Sequence, residues 1–167
     1  MNIDAKEFER IYDEFARKIY IYCYFRVNSQ EAAEDLAASV FMRAWDHIVG
    51  GKNVDKVQAF LYRIASNLII DYYRKGTARR EVTIDDPLHP IDIHDETDLS
   101  GSMDKKFQLQ DVRRALADMP DQYREVMILK YFNELSIKEI AEILETQENT
   151  ISVRLHRALD KIKKILA

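Results

Sequence analysis

The sequence predicts an all-α fold: two small helical domains joined by a flexible acidic linker, the C-terminal domain a helix-turn-helix. Three observations carry that expectation. Helical hydrophobic periodicity runs through most of the 167 residues. The four glycines (50, 51, 76, 101) and three prolines (87, 90, 120) fall between the periodic segments, where helix breakers belong. Charge is uneven as well: residues 1–80 hold 13 Lys and Arg against 11 Asp and Glu, residues 81–110 hold 2 against 8, and residues 111–167 hold 10 against 10. The expected division is an N-terminal domain at 1–80, an acidic tether at 81–110 and a C-terminal domain at 111–167.

The first helix, from about Asp4 to Val27, places Phe8, Ile11, Tyr12, Phe15, Ile19, Tyr22 and Cys23 on one stripe. Its Ile19–Phe25 stretch has strand propensity, but the longer helical period around it and the lack of a pairing strand favour helix. Ser29 is placed to cap a second helix, with Glu31, Glu34 and Asp35 near its positive end. Ala33, Leu36, Ala37, Val40, Phe41, Ala44 and Ile48 form its apolar side, and Gly50-Gly51 ends it. A third helix, about Asp55 to Lys75, buries Val57, Phe60 or Leu61, Ile64, Leu68 and Ile69 and stops at Gly76. Its other face interleaves Tyr62, Arg63, Ser66, Asn67, Ile70, Tyr73, Arg74 and Lys75, a pattern that suits unstacked bases and phosphates, or equally an ordinary boundary face.

Residues 81–110 lack periodicity, and the second domain resumes as Leu109–Met119 and Asp121–Phe132. Ser136 stands at a helix N-cap, Glu139 follows three residues later to close a capping box, and Leu135 and Ile140 flank them as a hydrophobic staple. That helix breaks at Glu145-Thr146-Gln147 and a second resumes through Ile151, Leu155, Ala158, Ile162 and Ile165. A helix-turn-helix puts its second helix into the major groove of DNA, so nucleic acid is the first partner expected. Asn149, Ser152, Val153 and His156 are the candidate base readers, and Arg154, Arg157, Lys161 and Lys164 the candidate phosphate contacts.

A net charge of −4 argues against a free-standing DNA binder, because phosphate neutralisation supplies most of the affinity of such proteins. Another component is expected to hold the chain on DNA. A single cysteine, Cys23, excludes an intramolecular disulfide and reads as a packed thiol in a reducing compartment. With no long apolar run and no basic-then-apolar start, neither a membrane span nor a secretory signal is expected, and the location expected is cytoplasmic. Catalytic patterns are weak. His89 and His94 lie with Asp92 and Asp95 in the tether without a cysteine partner, His47 ends a helix, and glycine-rich phosphate loops are missing. No cofactor, metal or small-molecule substrate is expected.

Three segments in order resemble the RNA polymerase sigma factors of bacteria, specifically the small two-domain extracytoplasmic-function (ECF) group of the sigma-70 family. They are Glu34–Trp45, Phe60–Arg74, and Met119-Pro120 through Tyr131 followed by Leu135–Ala141, Asn149-Thr150-Ile151 and Arg154–Ala158. The resemblance spans nearly the whole chain. It implies that Asp35, Ser39, Met42, Arg43 and Asp46 dock on a coiled coil of core RNA polymerase. Asn67 is then expected at a flipped base of the minus-ten element, with Tyr62, Arg63, Arg74 and Lys75 along the separated strand. The minus-thirty-five element falls to Asn149, Thr150, Ser152, Val153, Arg154, His156, Arg157 and Lys161. It further implies promoter DNA as ligand, an anti-sigma protein as regulator, and a tether that runs through the polymerase's RNA channel. Phe60 stands where the family commonly has Trp, Gly50-Gly51 falls in the loop beside the flipped base, Ser152 replaces a frequent basic residue, and Gln147 is a poor cap. Two other readings use the same helix-turn-helix: a repressor or activator acting without polymerase, which usually dimerises on palindromic sites, and a helical adaptor that binds only protein.

Overall fold

The computed structural model describes residues 3–27, 29–76 and 103–166, with side-chain surroundings in the last stretch for 110–165. The described residues form helices and no strands. The first lobe holds α1 (Ala5–Arg26), α2 (Gln30–Val49) and α3 (Val57–Lys75); the second holds α4 (Met103–Ala117), α5 (Asp121–Met127), α6 (Ile137–Leu144) and α7 (Glu148–Leu166). The helix expected from Leu109 begins at Met103, inside the span assigned to the tether.

Helix ends follow local chemistry. The Asp4 carboxylate accepts the Glu7 amide at 2.8 Å and starts α1, and the Ser29 hydroxyl accepts the Ala32 amide at 3.1 Å and starts α2. Gly50 closes α2 and Gly51 takes φ 81°, a left-handed turn that favours glycine. The Ile19–Phe25 stretch is helical throughout, and Ile19, Ile21, Tyr22, Cys23, Tyr24 and Phe25 are all buried. Nearly all-round burial explains why its residues do not alternate cleanly between apolar and polar. Tyr12, expected on the buried stripe, is half-exposed and meets Phe41 edge-on at 4.9 Å.

Helix α5 runs on into a π-helical turn, Ile128–Phe132, in which the Asn133 amide donates to the Ile128 carbonyl at 3.0 Å. The wider turn carries Phe132 onto Phe25 of α1, ring stacked on ring at 4.1 Å. The two lobes are thus closed on each other. Their buried side chains make one continuous cluster from Ile3 to Ala158 rather than two separate cores.

Candidate nucleic-acid and partner interface

The helix-turn-helix begins as its residues dictate. The Glu139 amide donates to the Ser136 hydroxyl at 3.1 Å and the Ser136 amide to the Glu139 carboxylate at 3.0 Å, a complete capping box, with Leu135 and Ile140 buried on either side. Two bonds draw the Glu139 carboxyl below the usual glutamate range, first the one from the Ser136 amide and then one from Gln58. At the far end Glu145 adopts a left-handed conformation (φ 53°), and the Ala141 carbonyl accepts the amides of Glu145 and Thr146. After that turn α7 buries Ile151, Leu155 and Ala158. The expected readers Asn149, Ser152, Val153 and His156 are exposed, as are Arg157, Lys161 and Lys164, while Thr150 and Arg154 are half-buried. Within this face His156 lies 3.7 Å from Asp160, and the Lys161 ammonium sits over the Tyr123 ring at 5.6 Å.

On α3 the expected strand-facing set divides. Arg63, Asn67, Arg74 and Lys75 are exposed, and Arg63, Asn67, Ile70 and Arg74 follow one another at helical spacing along a single face. Tyr62 corrects the sequence expectation. It is fully buried, edge-on to Tyr22 at 5.3 Å, and burial pushes its hydroxyl well above the usual tyrosine range. The reason is long-range: the second lobe covers the side of α3 that the sequence pattern left polar. Arg63 is held there too, its guanidinium donating to the Glu142 carbonyl at 2.7 Å and lying 3.7 Å from the Glu145 carboxylate. Gln58 donates to Glu139 at 2.7 Å, and Lys56 pairs with Glu142 at 2.8 Å.

The contacts between lobes centre on Arg26, a residue the sequence pattern did not single out. It is 2% exposed. Its guanidinium donates to Asp121 at 2.9 and 3.2 Å, to Glu125 at 3.0 Å, to the Tyr22 hydroxyl at 2.7 Å and to Ser66 at 3.3 Å. Burial works against its charge, but Tyr22, Glu125 and Asp121 outweigh burial and hold it firmly protonated. The Tyr22 hydroxyl, itself pushed well up by burial, stays protonated and donates to Glu125 at 2.5 Å. Around this cluster Arg113 donates to the Val27 carbonyl at 2.8 Å and covers the Tyr24 ring, Asn133 donates to the Lys18 carbonyl at 2.9 Å, and the Tyr73 hydroxyl donates to the Arg26 carbonyl. A lone arginine after seven apolar or aromatic residues was the available signal; its partners lie 95 and 99 positions away.

On α2 the structure brings the expected docking residues together. Asp35, Ser39, Met42 and Asp46 fall at spacings of four, three and four along the outer side, with Arg43 beside them; all but the half-buried Ser39 are exposed. Met42 is 68% exposed, and Val49, one turn beyond Asp46, is 64% exposed. Two bare apolar side chains set among charges on one helix face make a surface that another protein can cover.

Elsewhere the described residues offer little chemistry. Cys23 is buried, and its thiol is pushed up to about 12 by burial, which suits a packed side chain rather than a nucleophile. The His47 ring packs on Phe60 at 4.7 Å. Among the described residues no group of His, Cys, Asp and Glu could hold a metal, and no helix is long and apolar enough to cross a membrane. His89, Asp92, His94 and Asp95 lie outside the described residues.

Comparison with known proteins agrees with this arrangement. Residues 11–80 match the family model for sigma-70 region 2, and residues 109–162 match that for sigma-70 region 4. The chain is 33% identical to the ECF RNA polymerase sigma factor SigW of Bacillus subtilis over 98% of its own length and 90% of that protein's. It is also 31% identical to the RNA polymerase sigma factor SigZ of the same organism, over 95% and 86% of the two chains. Among solved structures it resembles the sigma factor RpoE in complex with the anti-sigma factor NepR from Bartonella quintana, with TM-score 0.72, 25% identity and coverage of 97% and 98%. CnrH in complex with the cytosolic domain of CnrY shares the fold at the same TM-score and 19% identity, over 98% and 89% of the two chains. The chain belongs to the sigma-70 family of RNA polymerase sigma factors, in its ECF group, and directs promoter-specific transcription initiation through RNA polymerase.

Proposed function

We propose that the three exposed faces divide the work of initiation. The outer side of α2 docks on core polymerase through Asp35, Ser39, Met42, Arg43 and Asp46, with Val49 extending the apolar contact. Asn67 on α3 receives a flipped base of the minus-ten element, while Arg63, Arg74 and Lys75 pair with phosphates of the separated strand. Capturing each unpaired base offsets a few kcal/mol of unstacking as the duplex opens. The N-terminal part of α7 reads the minus-thirty-five element through Asn149, Thr150, Ser152, Val153 and His156, and Arg154, Arg157 and Lys161 hold its phosphates.

Tyr62 is left out of this set because its ring is interior. The chain performs no covalent chemistry of its own, acts in the cytoplasm beside polymerase, and is regulated by an anti-sigma protein that covers the same faces. The solved structure of the sigma factor RpoE in complex with the anti-sigma factor NepR supports regulation by a protein of that kind.

The observation that carries the reading is the α2 stripe, where Met42 and Val49 stand bare among charges on a chain whose other large apolar side chains are mostly packed. Co-purification with core polymerase, followed by run-off transcription from a promoter library, tests it. The wild type should bind and initiate from a subset of promoters, and Met42→Glu should lose both activities while keeping its helix content. Retention of polymerase binding by Met42→Glu together with Arg43→Ala would overturn the docking assignment.

A further inference from the structure

Ile70 has no explanation in packing. Helix α3 buries Ala59, Leu61, Tyr62, Ala65, Leu68 and Ile69, whereas Ile70, one position past the last of them, turns away and is 42% exposed. Helix propensity does not account for it either, since a β-branched side chain forms helix less readily than the lysine or glutamine that ordinarily fills an exposed position. A bare apolar side chain standing alone is common and needs no account. What sets Ile70 apart is its company. Arg63, Asn67, Ile70 and Arg74 follow at steps of four, three and four along one face, and Tyr73, three positions beyond Ile70, is also partly exposed. Its hydroxyl is tied to the Arg26 carbonyl, which fixes the ring. The stripe thus runs cation, amide, hydrocarbon, cation.

On a strand-capturing face the cations and the amide have obvious counterparts: guanidinium groups suit phosphates, and the Asn67 amide suits the edge of an extruded base. Hydrocarbon suits neither. An extruded base does, however, leave behind the bare face of the pair next to it, and proteins hold a duplex unstacked at one step by laying an aliphatic or aromatic side chain on such a face. Spacing agrees. Residues three apart on a helix rise about 4.5 Å, against about 3.4 Å between successive bases, so a side chain at position 70 meets the step adjoining a base held at position 67.

We propose that Ile70 is a wedge. It lies on the uncovered face of the last base pair of the duplex, beside the base that Asn67 receives, with the Tyr73 ring one turn away at its flank. In this role it touches no base edge and reads no sequence; it offsets the loss of stacking where the strands part. The inference rests on the assignment of Asn67 made above. The occupant of this patch is a duplex end rather than a protein, because Arg63, Arg74 and Lys75 surround the hydrocarbon with positive charge that phosphates complement.

The test compares Ile70→Ala, Ile70→Leu and Ile70→Gln with wild type, each assembled with core polymerase. Two fluorescent DNA probes carry the minus-ten sequence of the strongest promoter from the run-off library. One is a fork whose duplex ends at that element; the other is the single strand alone, which has no base pair to cover. Ile70→Ala should weaken fork binding roughly fivefold, the share of a partly covered aliphatic side chain, and leave single-strand binding unchanged. Ile70→Leu should restore the fork, and Ile70→Gln, of similar length but polar, should not. Asn67→Ala is the control for the underlying reading and should weaken both probes. Fork binding by Ile70→Ala equal to wild type overturns the wedge, as does full rescue by glutamine. An equal loss on fork and single strand overturns it too, marking a general strand contact, and loss of core polymerase binding overturns it by marking a side chain that faces protein. If Asn67→Ala leaves both probes unaffected, the flipped-base assignment fails and the Ile70 difference between fork and strand alone decides the wedge. A wild type that initiates at no promoter of the library defeats both.

Discussion

Glu139 joins two jobs in one carboxylate, and its removal gives a quantity that can be worked from the structure. The side chain accepts the Ser136 amide at 3.0 Å to complete the capping box, and it accepts Gln58 of the other lobe at 2.7 Å. A capping interaction is worth about 1 kcal/mol, and a hydrogen bond to a charged acceptor about 1.5 kcal/mol before solvent weakens it at a half-exposed site. Glu139→Ala recovers a few tenths through the better helix propensity of alanine, so the net loss should be about 1 kcal/mol. For a chain of this size that lowers Tm by about 2–4 °C. Glu139→Gln, which can still close a capping box, should lose about half as much or less. Because the folded-state pKa lies below the unfolded one, the charged form adds stability that is fully present above the unfolded value of about 4.3 and fades as pH falls through the folded value. Thermal unfolding at neutral and acidic pH, followed by circular dichroism, should show the gap between wild type and Glu139→Ala shrinking below about pH 4.3. Equal stability at neutral pH, or a gap that stays constant into acid, would refute the account.

Tyr62→Ala should cost about 3–5 kcal/mol by emptying a fully buried site, whereas Tyr62→Phe, which keeps the ring and removes only its hydroxyl, should cost less than about 1 kcal/mol in urea titrations; tolerance of alanine would return Tyr62 to the surface. Arg157→Ala should weaken duplex promoter binding by the polymerase holoenzyme and reduce the salt dependence of that binding by about one counterion, measured as log affinity against log salt; an unchanged slope would remove it from the phosphate contacts. With its thiol pushed up to about 12, native Cys23 should resist iodoacetamide at mildly alkaline pH and react once urea unfolds the chain, as mass spectrometry would register; rapid labelling of the folded protein would contradict its burial.

What the sequence made legible was local. Ser136, Glu139 and the break at Glu145–Gln147 announce themselves because capping and turn chemistry involve residues three or four apart. The apolar stripes of α2 and α7 were equally open to a periodic reading. Tyr62 was not, since its neighbours Ser66 and Asn67 give that side a polar look and only the arrival of the second lobe buries it. Arg26 hid for the same reason, its partners being set by tertiary closure. The start of α4 at Met103 was obscured by the acidic composition that marks the preceding segment, and the π-helical turn at Ile128–Phe132 leaves a hydrophobic pattern that an ordinary helix also fits. Among the site residues, exposure of Asn149, Ser152, Val153, His156 and Arg157 followed from the α7 period, while the engagement of Arg63 by α6 depended on the docking of one lobe on the other.

The left-handed turn at Glu145 carries a consequence for anyone wishing to harden this molecule. A side chain in that backbone region is uncomfortable by about 1 kcal/mol, and glycine or asparagine would relieve it. The same carboxylate faces Arg63 at 3.7 Å, so easing the backbone deletes an attraction across the lobes. Ease of the backbone and adhesion between the lobes are therefore opposed at one position: a Glu145→Gly variant gains a relaxed turn between the two helices of its helix-turn-helix and loses one tie from that turn to Arg63 of α3.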